Sequence, residues 1–182
     1  MDEFERRGLA IGASLHDIGK MEKSEYYVEN QRPEFNKHDE LSPSMSALVI
    51  AAHVKDGMEL GRKWRLPQMV IDFIPEHHGT GMTLAFYRMA VKEAGDDGES
   101  MPEGDFQYPG PKPQSRETAI TMLADSCEAR VRSAEPSSVE QIEEIIADTI
   151  KSRLDSGQLD ESDLTLRDLH DIARAFSRSS SA

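Results

Sequence analysis

Residues 3–21, EFERRGLAIGASLHDIGKM, are the stretch on which the fold turns. They read as a helix. Leu9, Ala13 and His16 share one side, with Gly12 and Leu15 close by, and Gly19 stands where a helix commonly ends. That side therefore carries His16, and His16 is followed directly by Asp17.

Outward from this helix the pattern stays helical. Residues 22–40 are irregular, punctuated by Asn30, Pro33, Asn36 and Asp39. A second helix starts at Ser42-Pro43, a good N-cap followed by a good first helical residue. It runs through Met45, Leu48, Val49, Ala52 and His53 toward Trp64, with an interruption near Gly57. A third begins at Leu66-Pro67 and carries Met69, Val70, Phe73 and Ile74 to His77-His78, with Pro75 breaking it one turn before its end. Residues 82–94 form a fourth, and residues 95–114 a long polar loop closing in Tyr108-Pro109-Gly110-Pro111-Lys112-Pro113. Three more helices follow over 114–133, 139–154 and 166–176, the last capped by Thr165. The Ser-rich residues 177–182 read as a disordered tail. No alternating strand pattern competes, so the fold class is all-α, a bundle of about seven helices in one domain over residues 1–176.

Composition agrees. The chain has 182 residues, enough for one domain with a proper core. Aromatics are only 6%, and Leu, Ile, Ala and Met carry the apolar content, which favours helices. The net charge of −13 excludes binding to bulk nucleic acid or to anionic lipid. It leaves room for a small phosphate ester, provided metal ions reverse the local potential. Cys127 is the single cysteine, so no intrachain disulfide forms. No run approaches the length of a membrane span, and no signal peptide is visible. A cytoplasmic setting and no membrane contact by this segment are the expectation.

Five histidines precede residue 80. Each candidate alone has an ordinary reading. His53 on an apolar stripe suits a core histidine. His77-His78 before Gly79 suit a helix C-terminus. Asp17 and Asp125 suit a solvated surface. The set is what points elsewhere, because imidazole and carboxylate are the ligands of Zn, Mn and Fe sites. Neighbouring helical residues diverge by about 100°. An adjacent pair therefore aims one side chain away, or reaches two metal ions side by side. An aspartate between two metals can bridge them, which is the logic of a dinuclear site that acidifies water for attack on phosphorus.

Six segments together also resemble a known family: His16-Asp17-Ile18-Gly19-Lys20, Asn36-Lys37-His38-Asp39-Glu40-Leu41-Ser42-Pro43, His53-Val54-Lys55-Asp56-Gly57, Glu76-His77-His78-Gly79-Thr80, the proline-rich run at 108–113, and Met122-Leu123-Ala124-Asp125-Ser126. The chain resembles the HD superfamily, and within it the cytosolic HD domain of bacterial seven-transmembrane HD proteins, the PgpH-type cyclic di-AMP phosphodiesterases. The resemblance implies an HD-domain helical bundle. It implies two divalent transition metal ions, Mn or Fe, and hydrolysis of cyclic di-AMP to pApA by a metal-bridging hydroxide. It assigns His16, Asp17, His53, His77, His78 and Asp125 as metal ligands. Asp17 would be the bridge, His16 and Asp125 would serve one metal, and His53, His77 and His78 the other. It further implies a parent membrane protein carrying this domain on its cytosolic side. The family's first ligand, a histidine on an earlier helix, has no counterpart before His16. A weakened activity is therefore expected. The alternatives are an HD phosphohydrolase for another nucleotide, and a catalytically impaired nucleotide-binding regulatory module.

Supporting residues follow. Asp17 and Lys20 are the catalytic candidates, with Lys20 reaching a non-bridging phosphate oxygen. Its bland reading is a lysine serving a helix C-terminus. Arg132, two turns beyond Asp125, could bind a far phosphate or sugar, or pair with Glu128 at i+4. Lys112 and Lys55 are weaker phosphate candidates. Tyr108 could stack on adenine or simply pack, and the loop over 36–42, with His38, could line a substrate cleft. Cys127 reads as a small core residue. Glu140, Glu143, Glu144 and Asp148 read as a solvated helix face.

Overall fold

The structure is a computed structural model that describes residues 3–31, 36–95 and 101–180. Its elements are α1 (Glu3–Leu15), α2 (Pro43–Lys63), α3 (Gln68–Ile71), α4 (Phe73–Glu76), α5 (Leu84–Ala94), α6 (Arg116–Ala134), α7 (Val139–Asp155) and α8 (Leu166–Ser180). Short 3-10 turns fill Ile18–Tyr26, Val28–Asn30, Lys37–Glu40 and Glu103–Phe106. Among the described residues the one extended pairing is a bridge between Met82 and Gln107. The all-α expectation therefore holds. None of the helices in these residues is long and apolar enough to cross a membrane.

The main core lies where α6, α7 and α8 meet. Ala119, Met122, Leu123, Cys127, Ile146, Ile150, Leu159 and Leu169 fill it. Cys127 is thus a core residue, as its isolation suggested. The acidic run on α7 is exposed throughout. The polar loop after α5 is less free than its composition implies. Phe106 is buried against Ala47 and Ala90, and Tyr108 N donates to Gly81 O at 2.8 Å.

Several helix ends differ from expectation, each for a physical reason. The first helix stops at Leu15 rather than Met21. Its continuation is replaced by a tight turn in which Lys20 N donates to Asp17 O at 2.9 Å. This turn presses the Gly19 backbone against α2. A Cβ on Gly19 would lie 1.9 Å from His53 O. Packing between backbones, rather than local propensity, ends the helix.

The second helix starts at the expected cap, where Ser42 Oγ accepts from Met45 N. It passes Gly57 without interruption, because Gly57 is the residue that makes room for Gly19. The third helix breaks at Asp72, earlier than Pro75. A proline ring clashes with the carbonyl four residues back, here Ile71, so α3 ends there. Pro75 then sits in the first turn of α4, where amide hydrogens lack intrahelical partners anyway.

The tail expectation also changes. Helix α8 runs to Ser180 instead of stopping at Phe176. Ser177 and Ser179 donate their hydroxyls to Ala173 O and Ala175 O, which lets serines continue a helix. Residues 181–182 lie outside the described residues.

Candidate metal centre

Four separate elements bring the six candidate ligands together. His16 and Asp17 sit on the turn after α1, His53 inside α2, His77 and His78 after α4, and Asp125 on α6. The helix ending at Leu15 matters here. An adjacent pair on a regular helix would diverge, whereas on this turn both side chains face one point. His16 Nε2 lies 3.4 Å from Asp17 Oδ2 and 3.9 Å from Asp125 Oδ1. On the other side of the same carboxylate, Asp17 Oδ1 lies 3.4 Å from His53 Nε2 and 3.6 Å from His77 Nε2.

The backbone sets the tautomers. Nδ1 of His16 donates to Ala13 O at 2.8 Å, that of His53 to Ile50 O at 2.5 Å, and that of His77 to Phe73 O at 3.1 Å. Each ring then offers Nε2 as a lone pair, the arrangement expected of imidazoles that bind metal. His78 is held differently, with Tyr108 stacked on its ring at 4.0 Å.

These lone pairs have nothing to bind within the described protein. His16 Nε2, Asp17 Oδ1, His53 Nε2 and His77 Nε2 are all buried without a hydrogen-bond partner. Buried orphaned polar atoms are costly, and such a cluster needs an explanation. The donor atoms fall into two groups, each gathered within 4.8 Å: Asp17, His53, His77 and His78 in one, and His16, Asp17 and Asp125 in the other. Nitrogen and carboxylate donors in these numbers fit two divalent transition metal ions, with Asp17 common to both.

Electrostatics support that fit. Burial holds the imidazoles of His53, His77 and His78 below their ordinary pKa, so they stay neutral. Burial works the same way on His16, but the neighbouring Asp125 and Asp17 carboxylates outweigh it and pull it up to about 10, a charge that a metal cation at Nε2 would supply in place of the proton. Burial disfavours ionised Asp17 too, yet His16 and Lys20 keep its carboxyl well below the usual range. Two carboxylates here remain charged and available.

His16, Asp17, His53, His78 and Asp125 line a cavity of about 830 Å³. Lys20 reaches it, with Nζ 2.8 Å from Asp17 Oδ2 and 2.9 Å from Glu29 Oε1. It is not a solvated end-of-helix lysine. Burial opposes its charge, but Asp17 and Glu29 hold its pKa above the ordinary value. Arg132 pairs with Glu128 at 2.8 and 2.9 Å, the i+4 reading, and also lines the cavity. His38 also lines it. Tyr108 lines it but is stacked on His78, which makes it a support for a ligand rather than a free platform for adenine. Lys112 is not brought to the cavity; its ammonium faces Asp160 at 3.8 Å. Lys55 is an exposed lysine beside Glu59.

Sequence reasoning missed three kinds of residue. Glu29, Tyr26, Tyr27 and Gln31 line the cavity from the irregular segment, where no periodicity marks them. Phe86 lines it from α5 and reads like any core aromatic. Glu76, beside His77, carried a visible signal as an acid in an apolar run. It is 5% exposed and accepts from Gln114 N at 2.8 Å and from Thr118 Oγ1 at 2.6 Å. It thereby ties the ligand-bearing α4 to the start of α6. Glu76→Ala is expected to cost about 1–3 kcal/mol by orphaning both donors. Glu76→Gln should cost less. Melting temperatures check this, and an unchanged value for Glu76→Ala would remove the tie from the account.

A family model for the HD domain matches residues 2–130. The chain belongs to the HD domain family. It is similar to the cyclic-di-AMP phosphodiesterase PgpH of Bacillus subtilis, 43% identical over 91% of this chain and 23% of that protein. It is 42% identical to the PgpH of Listeria monocytogenes over 88% of this chain and 22% of that protein. The chain thus spans less than a quarter of these relatives. The crystal structure of the L. monocytogenes phosphodiesterase PgpH HD domain superposes with a TM-score of 0.87 at 37% identity, covering 96% of this chain and 80% of the other. The same domain in complex with cyclic-di-AMP gives 0.89 at 38% identity, covering 96% and 79%.

Proposed function

We propose that this HD domain is a metal-dependent phosphodiesterase that hydrolyses cyclic di-AMP to pApA. The observation that carries the reading is a pair of buried donor groups sharing Asp17, beside a cavity large enough for a dinucleotide. Similarity to PgpH, and to an HD domain whose crystal structure holds cyclic-di-AMP, supports the substrate.

Two divalent ions, of manganese or iron type, would supply an acidified water and positive charge for the phosphoryl oxygens. The protein's own groups do the rest. His53, His77 and His78 on one side, and His16 and Asp125 on the other, would hold the ions, with Asp17 between. Lys20 stands beside Asp17 and can turn its ammonium to a non-bridging oxygen, where charge builds in the transition state. Glu29 also holds that ammonium, at 2.9 Å. We place the domain on the cytosolic side of a longer membrane protein, in line with its family resemblance.

The test is metal content and product analysis on the purified chain with Mn. Two metals per chain and conversion of cyclic di-AMP to pApA are expected. Cleavage of mononucleotides alone would overturn the substrate. One metal, tight cyclic di-AMP binding and no turnover would make the domain a sensor. The group formed by His16, Asp17 and Asp125 has three ligand residues against four in the other, so it is the one expected to empty first on chelation.

A further inference from the structure

We propose that Gln31 and His38 form a wall of hydrogen-bond acceptors that selects a purine with its amine at C6, namely adenine, in the part of the cavity beside Phe86. The proposal rests on the phosphodiesterase reading and names how its substrate would be told from a guanine counterpart.

One backbone oxygen organises the wall. Tyr26 O accepts from Gln31 Nε2 at 3.0 Å and from His38 Nε2 at 2.9 Å. A carbonyl oxygen can only accept, so both bonds fix which end of each side chain points the other way. For Gln31 that end is Oε1. For His38 it is Nδ1, an acceptor in the tautomer whose Nε2 donates to Tyr26 O. His38 Nδ1 is buried and lacks a partner among the described residues. It belongs to neither of the donor groups around Asp17. The short turn bearing His38 is capped by Asn36, whose Oδ1 accepts from His38 N at 3.0 Å.

Flat apolar faces flank these acceptors. The Tyr26 ring lies 5.6 Å and the Phe86 ring 5.0 Å from that of His38. All four residues line the cavity that Asp17 and Lys20 also line. The surroundings suit a flat heteroaromatic ring with one polar edge.

Adenine presents an amine with two N–H bonds at the position where guanine presents a carbonyl oxygen. Two acceptors can receive the two N–H bonds of the amine. Against a carbonyl they are left unpaired and repelled. A site built to hydrogen-bond its substrate rejects the analogue that lacks the matching group more strongly than shape alone does.

The experiment uses the full chain with Mn, cyclic di-AMP and cyclic di-GMP, and the variants Gln31→Met and His38→Phe. Turnover and equilibrium binding are both measured. Each variant is expected to weaken cyclic di-AMP roughly five- to tenfold, the worth of one neutral hydrogen bond, carried by KM rather than kcat. Preference over cyclic di-GMP should narrow by the same factor. The two positions are independent, so a variant that fails to fold leaves the other to decide. Unchanged KM, binding and preference overturn the wall. If the unaltered chain binds cyclic di-AMP without cleaving it, and the variants weaken that binding, the wall stands and the phosphodiesterase reading falls. If the unaltered chain binds neither dinucleotide, both fall.

Discussion

Asp17→Ala is expected to empty both metal groups and to lower phosphodiesterase turnover by at least about 10³-fold. Losing a partner that merely orients a metal ligand already costs about 10–100-fold in metal affinity or activity. Asp17 is placed closer than that, and it is common to both groups. One oxygen faces His53 and His77, and the other faces His16 and Lys20. Removing the carboxylate also leaves Lys20 held by Glu29 alone. The fold should survive, because Asp17 lies outside the packed core. Metal analysis beside a melting curve separates these effects. A folded Asp17→Ala chain that still carries two Mn ions would end the shared-ligand account.

Gly19→Ala is expected to be the most damaging substitution that touches no ligand. The added Cβ would lie 1.9 Å from His53 O, 2.5 Å from Gly57 N and 2.8 Å from His53 C. All three are backbone atoms of one helix, so none can swing aside. The turn bearing His16 and Asp17 must retreat instead. Overpacking usually costs about 1–3 kcal/mol, and a backbone clash lies at or beyond the top of that range. For a chain of this size the melting temperature should fall by roughly 6–12 °C. A displacement of about 1 Å should also cost about 10²-fold in turnover. Gly57→Ala is the internal comparison. Its Cβ would meet Ile74 Cγ2 at 3.0 Å and Gly19 N at 3.2 Å, contacts that a smaller shift relieves. Wild-type melting and turnover in Gly19→Ala would show that the contact does not position the site.

The candidate cluster was legible in the sequence because its chemistry is unusual as a set and because its six positions fall in motifs that resemble a known family. The helices were legible through caps such as Ser42 and through apolar periodicity. What stayed hidden depends on contacts between distant segments. The end of α1 is set by α2, forty residues away, so no local signal at Gly19 could separate a helix end from a turn pressed on another backbone. The early break at Asp72 was legible in principle, since the proline clash falls four residues upstream of the ring. Lys112 was misplaced because a proline-rich loop fixes the direction of its side chains, and that direction leads to Asp160. The positions of Tyr26, Gln31 and His38 follow no periodicity, and what joins them is a single carbonyl oxygen, Tyr26 O.

The sharing of Asp17 has a thermodynamic consequence. Two donor groups with separate carboxylates could fill independently. Here an ion at either group would fix the Asp17 rotamer on which the other group depends. By linkage, each ion must change the affinity of its neighbour by the same factor in both directions. Metal titration of this domain should therefore deviate from two independent isotherms. The sign reports whether ordering of the carboxylate outweighs repulsion between the cations.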